Sequence, residues 1–132
     1  MTVNSILPFL MFEGDASEAL DFYTKLFPQS GIDKVELYGA GEAAPEGSIK
    51  LARFTIGGQS VLCTDSMVKH AFTFTPSFSF FVECSSEKEV RRLGEALKTG
   101  GKELMPPANY GFSTLFTWVS DRFGVSWQLN CP

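Results

Sequence analysis

The chain has 132 residues, of which 44% are hydrophobic and 20% are charged, and its formal net charge is -4. This size and composition are typical of one soluble globular domain. The negative charge, without a Lys/Arg cluster, argues against a nucleic-acid or membrane-surface partner. Because no apolar run approaches the ~20 residues that span a bilayer and no secretory leader is recognisable, we expect a cytoplasmic protein.

The first half predicts one helix among four strands. The helix is expected to begin at Asp15, because Asp15 and Glu18 form a capping pair and apolar residues then recur at helical spacing. Gly57-Gly58 favours a tight turn between two strands. The predicted elements are a strand at 6–12, the helix at 15–27, a strand near 32–38 and a hairpin of 49–56 and 59–64.

The second half repeats this order. Ser86 and Glu89 form another capping pair, and the apolar stripe of the helix that follows ends before Gly100-Gly101. The predicted elements are a strand at 77–84, the helix from Ser86, a short strand at 102–105 and a hairpin of 112–120 and 125–129.

The two halves match in order and nearly in length, which indicates a duplication. We therefore predict an α+β protein, one domain over 1–132, built from two βαβββ modules in a pseudo-twofold repeat. Module one covers about 1–66, a loop about 66–76, and module two about 77–132. Each module is expected to cover one sheet face with its helix and to turn the other face into a shared cleft.

Side-chain alternation predicts which residues face this cleft. In the first hairpin, Arg53 should pair with Leu62, on the same face as Thr64, while the apolar face packs on the helix. In the last hairpin, a four-residue loop should pair Thr117 with Gln128 on the mixed face and Trp118 with Trp127 in the core. Other cleft-facing positions are expected at Pro8, Leu10, Phe12, Ser77, Ser79 and Phe81.

Three cysteines, Cys63, Cys84 and Cys131, lie far apart and lack Cys-x-x-Cys spacing. This pattern supports neither a disulfide framework nor a zinc knuckle. Since Cys63 and Cys84 lie inside strand-like apolar runs, we expect buried thiols.

The repeated order resembles the vicinal oxygen chelate superfamily, which includes glyoxalase I, extradiol dioxygenases and bleomycin-resistance proteins. The segments GDASEALDFYTKLFP, ARFTIGGQSVLCTD, FTFTPSFSFFVEC, EALKTGG and DRFGVSWQLN resemble its PhnB-like branch, often labelled 3-demethylubiquinone-9 3-methyltransferase domain. The resemblance implies a glyoxalase/bleomycin resistance-like fold with half-barrel sheets and a homodimer.

Metal-dependent members of the superfamily take four ligands from the first, fourth, fifth and eighth strands. By resemblance, these positions correspond to Pro8, Leu62 or Thr64, Ser77 and Gln128. Only Gln128 carries a group that coordinates a divalent transition metal in such sites. We therefore expect neither a metal nor another cofactor.

Two further residues have alternative interpretations. His70 lies in the loop between the modules, which could close over the cleft, and it either has a catalytic role there or is simply solvated. Arg53 either binds a carboxylate or phosphate of a ligand, or pairs with an acidic neighbour such as Glu83, or lies at an exposed edge. The candidate ligand-binding residues are Arg53, Leu62, Thr64, His70, Ser77, Ser79, Thr117 and Gln128.

The predicted function is binding of a small organic molecule without a catalytic metal. The alternative is an enzyme, either a 3-demethylubiquinone-type methyltransferase or a metal-dependent glyoxalase- or dioxygenase-like protein. The chain lacks the glycine-rich strand-to-helix turn of common S-adenosylmethionine-dependent enzymes, which favours the binding function.

Overall fold

The computed structural model describes residues 2–132 and divides into two compact units, residues up to 71 and residues 72–132. The unit boundary lies inside the loop predicted at 66–76. No helix in the described chain is long and apolar enough to cross a membrane.

The first unit contains β1 (Phe9–Phe12), α1 (Ala16–Leu26), β2 (Gly31–Leu37), β3 (Ile49–Ile56) and β4 (Gln59–Asp65). The second contains β5 (Ser79–Glu83), α2 (Glu87–Lys98), β6 (Lys102–Ala108), β7 (Leu115–Ser120) and β8 (Ser126–Cys131).

The two units share one topology. The first sheet has the order β1-β4-β3-β2 and the second the order β5-β8-β7-β6. In each, the strand before the helix runs parallel to the last strand of the unit, and the remaining neighbours are antiparallel. This repeat confirms the predicted α+β fold of two βαβββ modules.

The core of the first unit lies on one face of its sheet. The register confirms the predicted pairs Arg53–Leu62 and Thr55–Ser60, with the alternate pair Phe54–Val61 on the other face. Phe54 and Val61 are fully buried, together with Ala19, Leu20 and Tyr23 of α1. Burying apolar surface of this kind contributes about 25 cal/mol per Å² and is the dominant favourable contribution to folding.

The predicted orientation of β1 is wrong. Phe9 pairs with Leu62, and Leu10 pairs with Cys63. Leu10 and Phe12 are therefore buried on the core face, whereas Phe9 is half exposed beside Leu62. The side chains of paired residues in neighbouring strands project from the same face, so the strand register overrides the assignment made from the sequence.

The predicted register of the last hairpin is also wrong, by one residue. Trp118 pairs with Gln128, Thr117 pairs with Leu129 and Val119 pairs with Trp127. The cause is the loop after Ser120, in which the buried carboxylate of Asp121 accepts hydrogen bonds from the backbone nitrogens of Phe123 and Val125 at 2.9 and 3.0 Å. This network stabilises a five-residue loop instead of the four-residue loop expected.

Thr117 consequently lies beneath α2 and not beside Gln128. A Cβ atom at Gly94 of α2 would lie 3.1 Å from Thr117 Cγ2. The Thr117 hydroxyl donates to the Met105 carbonyl at 2.8 Å, and the residue is 1% exposed. These contacts remove Thr117 from the candidate ligand-binding residues and move Trp118 from the predicted core to the opposite face.

Asp65 connects three segments of the first unit. Its buried carboxylate accepts hydrogen bonds from the backbone nitrogens of Gly14, Ala16 and Ile49 at 2.8, 3.0 and 2.9 Å. Asp15, the predicted cap of α1, makes no side-chain capping hydrogen bond. Asp65, distant in sequence, therefore satisfies the nitrogens at the start of α1, in addition to ending β4.

Asp65→Ala is expected to lower the free energy of unfolding by about 3 kcal/mol or more, because it leaves buried backbone donors without an acceptor. Asp15→Ala, the matched control, should cost less than about 1 kcal/mol. Urea denaturation of both variants measures the difference. Equal losses would contradict the role assigned to Asp65.

The thiol of Cys63 is expected to be unreactive in the folded protein. Burial, assisted by the negative charge of Asp65, raises the pKa of Cys63 to about 12. At pH 8, only about one thiol in ten thousand is then ionised. Labelling with an aromatic disulfide reagent, followed by peptide mass spectrometry, should modify Cys63 only after urea is added. Rapid modification of Cys63 in the native protein would be the contrary result.

Candidate functional site

In the first unit, the sheet face away from the core carries Arg53 and Leu62. Arg53 is exposed between Leu62 on β4 and Lys34 on β2. No carboxylate of residues 2–71 pairs with its guanidinium. This face therefore offers a positive charge next to apolar surface, as expected from the sequence.

Thr64 and His70 make local hydrogen bonds in the same unit. The Thr64 hydroxyl donates to the Lys50 carbonyl at 2.7 Å. The Ser66 hydroxyl donates to the Val68 carbonyl at 2.7 Å and lies 2.9 Å from His70 Nε2. Which of the two groups donates in that contact depends on the tautomer of His70. His70 thus contacts the segment that follows β4.

The second sheet has one face covered by α2 and an opposite face, which we call the open face. The strand register assigns alternate residues of three adjacent strands to it. Gln128 occupies its centre, with Phe81 on one side and Trp118 on the other. The open face consists of Ser79, Phe81 and Glu83 of β5, Ser126, Gln128 and Asn130 of β8, and Phe116, Trp118 and Ser120 of β7.

A chain of hydrogen bonds orients Gln128. Trp118 Nε1 donates to Ser126 Oγ at 2.9 Å, and the hydroxyls of Ser126 and Ser79 lie 2.6 Å apart. Gln128 Nε2 donates to Ser79 Oγ at 3.3 Å. Ser77, by contrast, lies in the turn before β5, where its hydroxyl contacts Thr75 Oγ1 at 2.7 Å. The predicted residues Ser79 and Gln128 are therefore together, and Ser77 lies outside the network.

Asn130 and Glu83 extend the open face beyond Gln128. Asn130 Nδ2 donates to Glu83 Oε1 at 3.2 Å. Asn130 is 7% exposed, and its buried Oδ1 has no hydrogen-bond partner among the described residues. A buried acceptor without a donor is costly, and such groups are rare in folded proteins. This oxygen therefore indicates a position where a ligand donor or a bound water would be favourable.

Aromatic rings surround this end of the open face. The Phe116 ring lies 5.0 Å from that of Phe112, 6.1 Å from that of Tyr110 and 6.5 Å from that of Phe81. Phe112 is 63% exposed and Phe81 is 54% exposed. The Tyr110 hydroxyl donates to the Pro106 carbonyl at 2.6 Å, which fixes its ring near β6. We refer to Phe81, Tyr110, Phe112 and Phe116 as the aromatic cluster.

The residues that the resemblance assigns to the superfamily metal positions offer few ligands for a transition metal. Pro8 and Leu62 have no side-chain donor atom, and the hydroxyls of Thr64 and Ser77 have partners in their own segments. His, carboxylate and thiolate groups are the usual ligands of such ions. No cluster of at least three His, Cys, Asp or Glu residues suited to a metal ion occurs within residues 2–132.

The two repeated βαβββ modules are those of the vicinal oxygen chelate superfamily. The glyoxalase/bleomycin resistance-like fold is also seen in the fosfomycin resistance protein FosX of Listeria monocytogenes. That structure has a TM-score of 0.67 and 12% identity, covering 100% of this chain and 93% of FosX. At that identity, the likeness concerns the fold alone.

Within this superfamily, residues 4–130 match the model of the 3-demethylubiquinone-9 3-methyltransferase family, and the chain belongs to that PhnB-like family. The structure of the PhnB protein of Bacillus cereus has a TM-score of 0.94 and 45% identity, covering 98% of this chain and 100% of that one. Protein YjdN of Escherichia coli K12 is 25% identical over 136 residues, covering 93% of this chain and 92% of YjdN.

Protein purified without added metal or chelator is expected to contain far less than one transition-metal ion per chain, because the superfamily positions offer few suitable ligands. Elemental analysis of the wild type and of Gln128→Ala measures this. Stoichiometric metal in the wild type that is lost in the variant would show that Gln128 is a ligand after all.

Proposed function

We propose that this protein binds a small organic molecule on the open face of its second sheet, centred on Gln128, without a resident metal. The observation that carries the proposal is the hydrogen-bonded chain from Trp118 through Ser126 and Ser79 to Gln128. These hydrogen bonds fix the amide of Gln128 between Phe81 and Trp118 on a partly exposed surface. Apolar walls with a few oriented polar groups are typical of small-molecule sites.

The other candidate ligand-binding residues have different degrees of structural support. Arg53 and Leu62 lie on the exposed face of the first sheet, so we retain both as proposed contacts for a ligand on that face. Thr64, His70 and Ser77 have hydrogen-bond partners in their own segments, and a ligand would have to compete with those partners. Ser79 and Gln128 therefore have the strongest support.

We further propose a cytoplasmic homodimer, as the superfamily resemblance implies. Exposed apolar side chains are compatible with a contact between chains, including Phe9 at 53% and Leu51 at 43% exposure. Light scattering after size-exclusion chromatography distinguishes a dimer from a monomer.

An enzyme is the second candidate function, because the matching family model is described as a methyltransferase. A methyltransferase must bind its methyl donor, whereas a binding protein need not. Titration calorimetry with S-adenosylmethionine separates the two, since saturable heat would favour the enzyme. A metal-dependent glyoxalase- or dioxygenase-like activity would instead require the metal tested above.

Gln128→Ala is expected to weaken binding of an aromatic amide such as 2-naphthamide about tenfold, because it removes an oriented hydrogen-bonding group from the centre of the site. Gln59→Ala is the matched control, since Gln59 is an exposed glutamine of β4 in the other unit. Calorimetric titration gives both affinities, and ligand-dependent melting temperatures provide a second measure. Equal affinities for the two variants would place the site elsewhere.

A further inference from the structure

On the open face, the side-chain nitrogens have hydrogen-bond partners, whereas two of the side-chain oxygens do not. Each side-chain nitrogen there donates within the face: Trp118 Nε1 to Ser126, Gln128 Nε2 to Ser79 and Asn130 Nδ2 to Glu83. The amides of Gln128 and Asn130 each keep a second N–H group, but none of the nine residues of the face is Lys or Arg, and Glu83 is one of them. The negative charge of Glu83 therefore makes the face poorly suited to a carboxylate or phosphate.

Two amide oxygens of the same face lack a hydrogen-bond donor among residues 72–132. Asn130 Oδ1 is buried without a partner, and none of residues 72–132 donates to Gln128 Oε1. The Glu83 carboxylate is exposed, and no Lys or Arg of this unit forms an ion pair with it. These acceptors are complementary to a ligand that supplies N–H donors.

The aromatic cluster favours the same kind of ligand. Tyr110 and Phe112 are stacked at an interplanar angle of 17°, and both meet Phe116 edge to face, at 87° and 72°. Aromatic faces attract cations through the ring quadrupole and stack on flat groups. The exposed ring of Phe81 lies two residues before Glu83 on the same face of β5, so apolar surface and negative charge adjoin.

We propose that the ligand of the open face is a flat organic cation that carries N–H donors, such as an aryl amidinium group. Its rings would stack on the aromatic cluster, while its N–H groups donate to Glu83 and to the oxygens of Asn130 and Gln128. This assignment of the ligand class rests on the proposed small-molecule function.

The test uses three probes that share one ring system and differ in charge: 2-naphthamidine, which is cationic at pH 7.5, neutral 2-naphthamide and anionic 2-naphthoate. Isothermal titration calorimetry at low salt gives their dissociation constants with the full chain. We expect the amidinium to bind about tenfold tighter than the amide, and the naphthoate to bind weakest.

Glu83→Gln should reduce the preference for the amidinium over the amide to about twofold or less, because it removes the negative charge and keeps the shape. Glu87→Gln is the matched control, since Glu87 lies on the first turn of α2 and outside the open face. The preference of Glu87→Gln for the amidinium over the amide should remain at the wild-type value. Melting curves of both variants establish that they are folded.

The remaining outcomes separate this inference from the proposed function. Equal binding of amidinium and amide, with both weakened in Gln128→Ala, would overturn the cation assignment and leave small-molecule binding intact. Tightest binding of the naphthoate would also overturn the cation assignment. Absence of saturable binding for all three probes would overturn the assignment and the proposed function together.

Discussion

The candidate site depends on the buried carboxylate of Asp121. One of its oxygens accepts hydrogen bonds from two backbone nitrogens of the loop, and the other accepts one from Trp127 Nε1 at 2.9 Å. Together these bonds fix the length of the loop between β7 and β8, and hence the register of the two strands. A shift by one residue would turn Gln128 and Trp118 to opposite faces of the sheet. Asp65 serves a similar purpose in the first unit, where it joins the start of α1 to β3 and β4.

This arrangement lets the two faces of the second sheet differ in composition. The α2 face is closely packed, with Thr117 beneath Gly94 and with Trp127 and Leu129 fully buried. The open face carries Gln128, Asn130, Ser79 and Ser126, which form hydrogen bonds with one another or with Glu83 and Trp118 of the same face. Polar groups need partners when they leave water, so a polar network next to exposed rings suits a ligand surface better than a second core.

Local patterns in the sequence predicted much of the fold. The Gly57-Gly58 turn gave the correct pairing of Arg53 with Leu62, since a two-residue turn leaves little freedom of register. The orientation of β1 was not predictable in this way, because ILPFLMF is apolar throughout and lacks alternation. The predicted register of the last hairpin was wrong for another reason, because the extra loop residue depends on the tertiary contacts of Asp121.

The candidate site was only partly predictable. Alternation along β8 places Asn130 on the same face as Gln128, and alternation along β5 places Glu83 with Ser79, so these positions were visible in the sequence. The hydrogen bonding of these residues was not visible in the sequence, because it depends on which nitrogen donates to which oxygen. The unpartnered Asn130 Oδ1 and the rings around Phe116 emerge only from the three-dimensional arrangement.

The two tryptophans provide the most direct test of the open face as the ligand site, because their indole N–H groups report on opposite faces of one sheet. Trp118 Nε1 bonds to Ser126 on the open face, and Trp127 Nε1 bonds to Asp121 on the other. In a ¹H–¹⁵N correlation spectrum recorded during titration with 2-naphthamidine, the Trp118 indole signal should shift saturably while the Trp127 signal stays nearly constant. A saturable shift of Trp127 alone would contradict the account.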